Sequence, residues 1–243
     1  MAQEMGKEDI YKKYIERSQN YINVFDGATR FFRGKRMDGN WESPFNPLAV
    51  GRAYTEATAW QYRFFVPHDV NGMIQLFGGK EEFVAALDDI FNTDAEIHGN
   101  LVDITGLIGQ YVHGNEPSHH IAYLYNYVGE PWKTQKMSRR LLNEMYHPTP
   151  EGIIGNEDCG QMSAWYILSS MGLYSVCPGS NEYVLTTPLF EKVVVHLANG
   201  RTLTILANDP QKNIYITKVE LNGKQIDLSL IHISEPTRLQ LIS

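Results

Sequence analysis

Cysteine is nearly absent. The 243 residues hold only Cys159 and Cys177, too few for a disulfide framework or a cysteine-based zinc site. They permit one disulfide, and two free thiols are the expectation. Long apolar runs are missing too: none reaches the roughly 18 residues that a membrane-crossing helix needs. There is no dense Lys/Arg tract, and the formal net charge is −7, which argues against nucleic acid and anionic membrane as partners. The opening Met-Ala-Gln-Glu-Met-Gly-Lys lacks the basic region and apolar core of an export signal. Nucleophile elbows, phosphate-cradling glycine loops and the paired-histidine motif of zinc proteases are also absent.

What remains is a globular mix, 43% hydrophobic and 20% charged. A chain of this length makes one or two domains and buries about 70–75% of its unfolded surface. Aromatic residues reach 12%, with 14 tyrosines. Such rings suit helix packing first and sugar stacking second.

Helical periodicity dominates to about residue 175. Tyr11, Tyr14, Ile15, Ser18, Ile22 and Phe25 share one face. Glu56 to Val66 reads as a helix stopped by Pro67. Further apolar stripes run through Val70, Met73, Ile74 and Phe77, and through Phe83, Ala86, Leu87 and Ile90. Ile121 to Tyr127 is short and aromatic, Pro131 opens a helix carrying Leu141 and Leu142, and Met162 to Ser169 forms the last helix, closed by Gly172. The period then switches. Val193–Leu197, Thr202–Leu206 and Ile214–Val219 are β-branched and partly alternating, with Asn199-Gly200 and Asn222-Gly223 as hairpin turns. Helices first and antiparallel strands after predict a mainly α fold, a bundle or helical toroid with a β unit packed against it.

Both ends are unusual. An amphipathic helix almost at Met1 needs a partner for its apolar face, so the natural chain is expected to begin earlier. Leu228 to Arg238 reads Leu-Ser-Leu-Ile-His-Ile-Ser-Glu-Pro-Thr-Arg, codon for codon the translation of a transposase sequencing adapter. Residues 228–243 are therefore expected to be a non-native tail.

Three polar segments carry the chemistry. In the first, Glu56 precedes Trp60, Gln61 and Tyr62, followed by His68 and Asp69. A carboxyl desolvated beside an indole becomes a general acid, whereas a glutamate in a first helical turn merely complements the helix dipole. The second is His113-Gly-Asn115-Glu116-Pro-Ser-His119-His120. Its oxygen donors suit calcium and its histidines suit zinc, and a structural loop with histidines packed on aromatics fits as well. The third, Gly155-Asn156-Glu157-Asp158-Cys159-Gly160, precedes a helix. Asp158 there either caps that helix or activates a water.

Together these segments resemble glycoside hydrolase family 92, the calcium-dependent exo-acting α-mannosidases. His113–His120 continues into Ile-Ala-Tyr-Leu-Tyr, Gly155–Tyr166 leads to Gly172-Leu-Tyr-Ser-Val-Cys-Pro-Gly, and Ala59-Trp-Gln-Tyr with Val66-Pro-His-Asp supplies the third match. The resemblance implies a partial (α/α)6 catalytic barrel over residues 1–178, its later helices only, and β strands of a sandwich-like unit over 179–227. The N-terminal portion of the same protein would be missing. It implies inverting hydrolysis of terminal α-mannosides of glycans, N-glycan processing included, with Glu56 as general acid and Asp158 as general base. Ca2+ would bind at Asn115 and Glu116. Gln61, His68, Asp69, His119 and Glu157 would line the sugar pocket, and Trp60 would either stack on sugar or belong to the core. A bacterial periplasmic, cell-surface or secreted location is the family expectation.

Two departures stand out. The family's Glu-Gly-Asn is Glu56-Ala57-Thr58 here, and the first of two aspartates flanking the third motif's second acid is Asn156. They motivate an alternative, a non-catalytic carbohydrate-binding remnant. A His-ligated zinc hydrolase using His113, His119 and His120 is the second alternative. An incomplete toroid exposes apolar helix faces, so this stretch of chain alone is expected to be inactive.

Overall fold

The structure is a computed structural model that describes residues 1–51, 53–99, 103–232 and 238–242. Helices come first. α1 spans Glu8–Ser18 and runs into a 3₁₀ segment, Gln19–Val24. Two short strands follow, β1 (Phe25–Asp26) and β2 (Phe31–Phe32), which pair antiparallel. None of the residues of α1 is buried, and Ile10, Tyr14 and Ile15 stand 44–57% exposed. The apolar face read from the sequence is present and uncovered among the described residues.

The helix expected over Glu56–Val66 is much shorter: α2 is Ala59–Tyr62. The reason is local. Glu56 has φ +55°, outside the helical region. Thr58 is extended and caps the helix, its Oγ1 accepting from the Trp60 N–H, while Gln61 Oε1 accepts from the Thr58 N–H. α3 (Val70–Leu76) is capped by Asp69, and α4 (Lys80–Asn92) begins after Gly79, with Glu81 and Glu82 in its first turn. A hairpin of β3 (Leu107–Ile108) and β4 (Tyr111–Val112) leads to a buried 3₁₀ segment, Ile121–Val128. α5 (Pro131–Glu144) starts on its proline, and α6 (Gln161–Ser170) starts after Gly160 and ends before Gly172, φ +84°.

The helical layer packs around one aromatic core that includes Phe64, Phe77, Phe83, Tyr111, Tyr123 and Trp165. Phe64 and Phe77 stack 5.5 Å apart, and Tyr123 and Tyr174 stack at 4.1 Å.

Strands follow: β5 (Leu173–Tyr174), β6 (Glu182–Leu185), β7 (Lys192–His196), β8 (Thr202–Ala207), β9 (Lys218–Leu221), β10 (Lys224–Ile226), β11 (Leu230–His232) and β12 (Arg238–Ile242). They form a three-stranded sheet, β11-β6-β5, and a five-stranded sheet, β10-β9-β12-β8-β7. The first sheet bridges residue 178, since β5 lies before it and β6 after it. Among the described strands of these two sheets, every pairing is antiparallel except β12 with β8. β12 sits between β8 and β9, which run in opposite directions, so it must be parallel to one of them. Both stretches of expected tail with described backbone thus pair with earlier strands. A second, smaller apolar cluster holds Leu173, Leu185, Leu203, Ile205, Ile216 and Val219.

Buried polar contacts fasten the strands to α5. Ser138 Oγ lies 2.7 Å from Thr186 Oγ1, Gln135 Oε1 accepts from the Ile216 N–H at 3.0 Å, and Arg139 donates to the carbonyls of Pro188 and Pro210. Cys159 and Cys177 are free thiols. Among the described residues no helix is long and apolar enough to cross a membrane.

Candidate active site

Two of the motif acids occupy strained backbone. Glu56 has φ +55° and Asp158 has φ +57°, followed by Cys159 at +54°. A non-glycine residue held in this region costs of order 1–3 kcal/mol and persists only where surrounding structure enforces it. At Glu56 the enforcement is visible: Asn115 Nδ2 donates to its carbonyl at 2.8 Å, tying the first motif to the second. The bond comes from a side chain only 4% exposed.

Between residues 110 and 126 every residue is buried except Glu116. The aromatic packing of the neighbours turns that one carboxylate outward. Asp158 is half-buried. No described residue hydrogen-bonds the carboxyl of Glu56, Glu116 or Asp158. Burial raises the proton affinity of the Tyr62 hydroxyl, which donates to Thr55 O, and the charges of Glu56 and Glu116 add to it. Burial likewise raises the pKa of Asp158, with further contributions from Glu116, Asp103 and Glu157. Glu116 is thus within electrostatic reach of both the Glu56 side and the Asp158 side.

Asp158 does not cap α6. Glu157 does, accepting from the backbone N–H groups of Gly160 and Ser163. The Ser163 hydroxyl, together with these backbone bonds, holds the Glu157 carboxyl below the usual glutamate range. Glu157, expected to line the sugar pocket, carries these two backbone bonds, while its neighbour Asp158 accepts none from a described residue.

The histidines are structural. Tyr146 donates to Met162 O, so it accepts from His113 Nε2–H, and His113 Nδ1 accepts from Tyr111. His119 donates from Nε2 to His113 O and accepts at Nδ1 from Gln161. His120 donates from Nε2 to Phe64 O. Burial lowers their pKa values to about 3, 4 and 4, so all three are neutral at pH 7. With their ring nitrogens directed at separate partners, they do not form a zinc site. Among the described residues no group of three or more His, Cys, Asp or Glu is placed to hold a metal. His119 instead ties two motifs together, its carbonyl also accepting from Trp165.

The other expected sugar contacts divide similarly. Trp60 is core, 7% exposed and edge-on to Phe31 at 5.1 Å. Gln61 is buried, with Nε2 donating to Gln110 O at 2.6 Å and Oε1 serving the α2 cap. His68 bonds Ser18 O, and Asp69 accepts from Tyr21, Gln19 and the Gly72 N–H, so both join α3 to the N-terminal segment rather than to the three carboxylates. Sequence reasoning missed Asp103, which accepts from Asn156 at 3.1 Å, and Tyr62. Asp103 lies outside all three motifs, and Tyr62 lies within the first, but nothing in the sequence marks its hydroxyl as a neighbour of the carboxylates.

For a hard cation, the chain offers the Glu116 carboxylate and the Asn115 Oδ1, neither hydrogen-bonded by a described residue. This donor chemistry fits calcium in kind, as part of the six to eight oxygens such an ion takes.

The glycosyl hydrolase family 92 catalytic domain matches residues 1–241. A family GH92 alpha-mannosidase from Bacteroides thetaiotaomicron, solved in complex with mannoimidazole, superposes with TM-score 0.91 at 38% identity, covering 99% of this chain and 33% of that one. A family GH92 inverting mannosidase from Bacteroides thetaiotaomicron VPI-5482 gives TM-score 0.86 at 35% identity, covering 99% and 34%. An uncharacterized secreted glycosidase from Arthroderma benhamiae is 32% identical over 248 residues, 91% of this chain and 30% of its own length. The chain spans about a third of the length of these relatives.

Proposed function

Since this chain belongs to glycosyl hydrolase family 92, we propose that the protein is an inverting α-mannosidase acting on terminal α-mannosides of glycans, N-glycans among them. The helical layer is then the later part of an (α/α)6 barrel. Glu56 protonates the leaving oxygen, and Asp158 takes a proton from the water that attacks the opposite face of the sugar. Inverting enzymes hold such a pair roughly 6.5–9.5 Å apart, leaving room for the water. The observation that carries this assignment is that both acids sit in left-handed backbone with carboxyls unbonded, while the adjacent Glu157 is spent on a helix cap.

The environments suit the roles. Asp158 must be ionised to act as a base, and half-burial with negative neighbours strengthens its grip on a proton. Asn115 fixes the Glu56 carbonyl and so orients the acid's loop. Asn115 and Glu116 would hold Ca2+. When bound, the ion would orient sugar hydroxyls and draw charge from the substrate side. The mannosidase neighbours support the substrate class, and the inverting neighbour supports the stereochemistry. The secreted relative supports action outside the cytoplasm, and a bacterial periplasm, cell surface or surrounding medium is the proposed location.

Proton NMR of the first sugar released from an α-mannoside by the full-length protein tests the reading. β-Mannose appears first, the activity falls with chelator and returns with calcium, and Glu56→Gln abolishes turnover of substrates with poor leaving groups. α-Mannose as first product, or full activity in Glu56→Gln, overturns the assignment. Sugar binding without turnover points to the carbohydrate-binding remnant instead.

A further inference from the structure

The loops carrying Glu116 and Asp158 meet over one short segment, Asp103–Gly106. Gly114 N–H donates to Thr105 O and His113 N–H to Gly106 O, both at 3.1 Å. On the other side Asn156 Nδ2 donates to Asp103 Oδ1. The Thr105 side chain fills the space between. A methyl group built on Gly114 would lie 2.0 Å from Thr105 Oγ1, and one on Gly155 would lie 2.6 Å from the same atom and 3.4 Å from Gly114 Cα. The Thr105 side chain thus occupies the space that a Cβ at either glycine would need, and Gly155 is in addition at φ +72°. Thr105 Oγ1 is buried and has no hydrogen-bond partner. An unpaired buried hydroxyl is unfavourable, so this side chain is not held by polar bonding. What it contributes is bulk at a fixed point.

We propose that Thr105 is a positioning residue, the spacer that sets the separation of the Glu116 loop from the Asp158 loop. The proposal rests on the mannosidase reading. Close-packed groups transmit a displacement rather than absorb it, and about 1 Å of misplacement at a reacting group costs about a hundredfold in rate. The role of Thr105 is to position other groups rather than to react. It acts through the backbone at Gly114, two residues from Glu116, and at Gly155, three residues from Asp158.

The test is a size exchange in the full-length protein. Gly114→Ala drives a methyl into Thr105 and lowers kcat about 10- to 100-fold, with KM changed less than about threefold. Thr105→Ala in that background restores at least half of the logarithmic loss. Thr105→Ala alone lowers kcat by about tenfold, and Thr105→Ser, which keeps Oγ1, stays near the parent. Amide hydrogen exchange supplies a readout independent of turnover. Residues 113–116 and 155–158 become less protected together in Thr105→Ala and regain protection in Thr105→Ser. If the parent hydrolyses no α-mannoside, the functional reading falls and the exchange pattern alone decides the spacer. Unchanged kcat in Thr105→Ala, absence of recovery in the double variant, or loss of protection in only one loop overturns the proposal.

Discussion

Within eight residues, His113 to His120, the molecule does two opposite things. Three imidazoles are buried, neutral and engaged with fixed partners, while Glu116 points outward with its carboxyl unbonded. The same contrast recurs at the third motif, where Glu157 caps α6 and Asp158 is left free. Residue type alone misleads here. Histidine, tryptophan and glutamine have the chemistry of a site, yet they build its walls. The groups whose bonding capacity remains unspent are carboxylates, in strained or outward-facing positions that the walls enforce.

The contrast breaks most easily at Asp158. Asp158→Asn lowers kcat about 10²- to 10⁴-fold, as loss of a general base does, and leaves the melting temperature within a few degrees. A large loss of stability with modest loss of rate would place Asp158 among the walls. His113→Leu has the reverse signature. It leaves the hydroxyls of Tyr111 and Tyr146 without their shared partner and destabilises by about 3 kcal/mol in chemical denaturation. Acid sharpens the comparison further. The folded-state pKa values of about 3, 4 and 4 lie below the ordinary 6.5, so the unfolded chain binds more protons. Stability from these histidines is complete above pH 6.5 and is lost as pH falls toward 4. At pH 5 each histidine removes about 2 kcal/mol, measurable as falling denaturation midpoints. The smallest effect is Glu157→Gln: it weakens an exposed cap, lowers the melting temperature by a few degrees at most and keeps kcat within about threefold.

Much of the helical layer was legible from period and punctuation. The stripe through Phe83, Ala86, Leu87 and Ile90 is the buried face of α4, and Pro131 and Gly172 mark helix boundaries. The hairpin turns at Asn199-Gly200 and Asn222-Gly223 join the strand pairs that their residue types favour. The true length of α2 is not legible, because an apolar run cannot reveal that Glu56 adopts a left-handed conformation or that Thr58 and Gln61 form a reciprocal cap. Ile214–Thr217 likewise reads as strand and is not, since the Ile216 N–H is spent on the Gln135 side chain. At the site, the motif acids were legible, but which of Glu157 and Asp158 caps α6 depends on backbone geometry. Asp103 was invisible because its relation to Asn156 spans 53 residues.

The guanidinium of Arg139 is buried between two proline carbonyls that belong to the strand region, on a helix that belongs to the other layer. A module that covered the same face of the helix without those two carbonyls would bury a cation with no acceptor. Any exchange of that sheet for a different module, by evolution or by engineering, must therefore supply equivalent acceptors or replace the arginine in the same step.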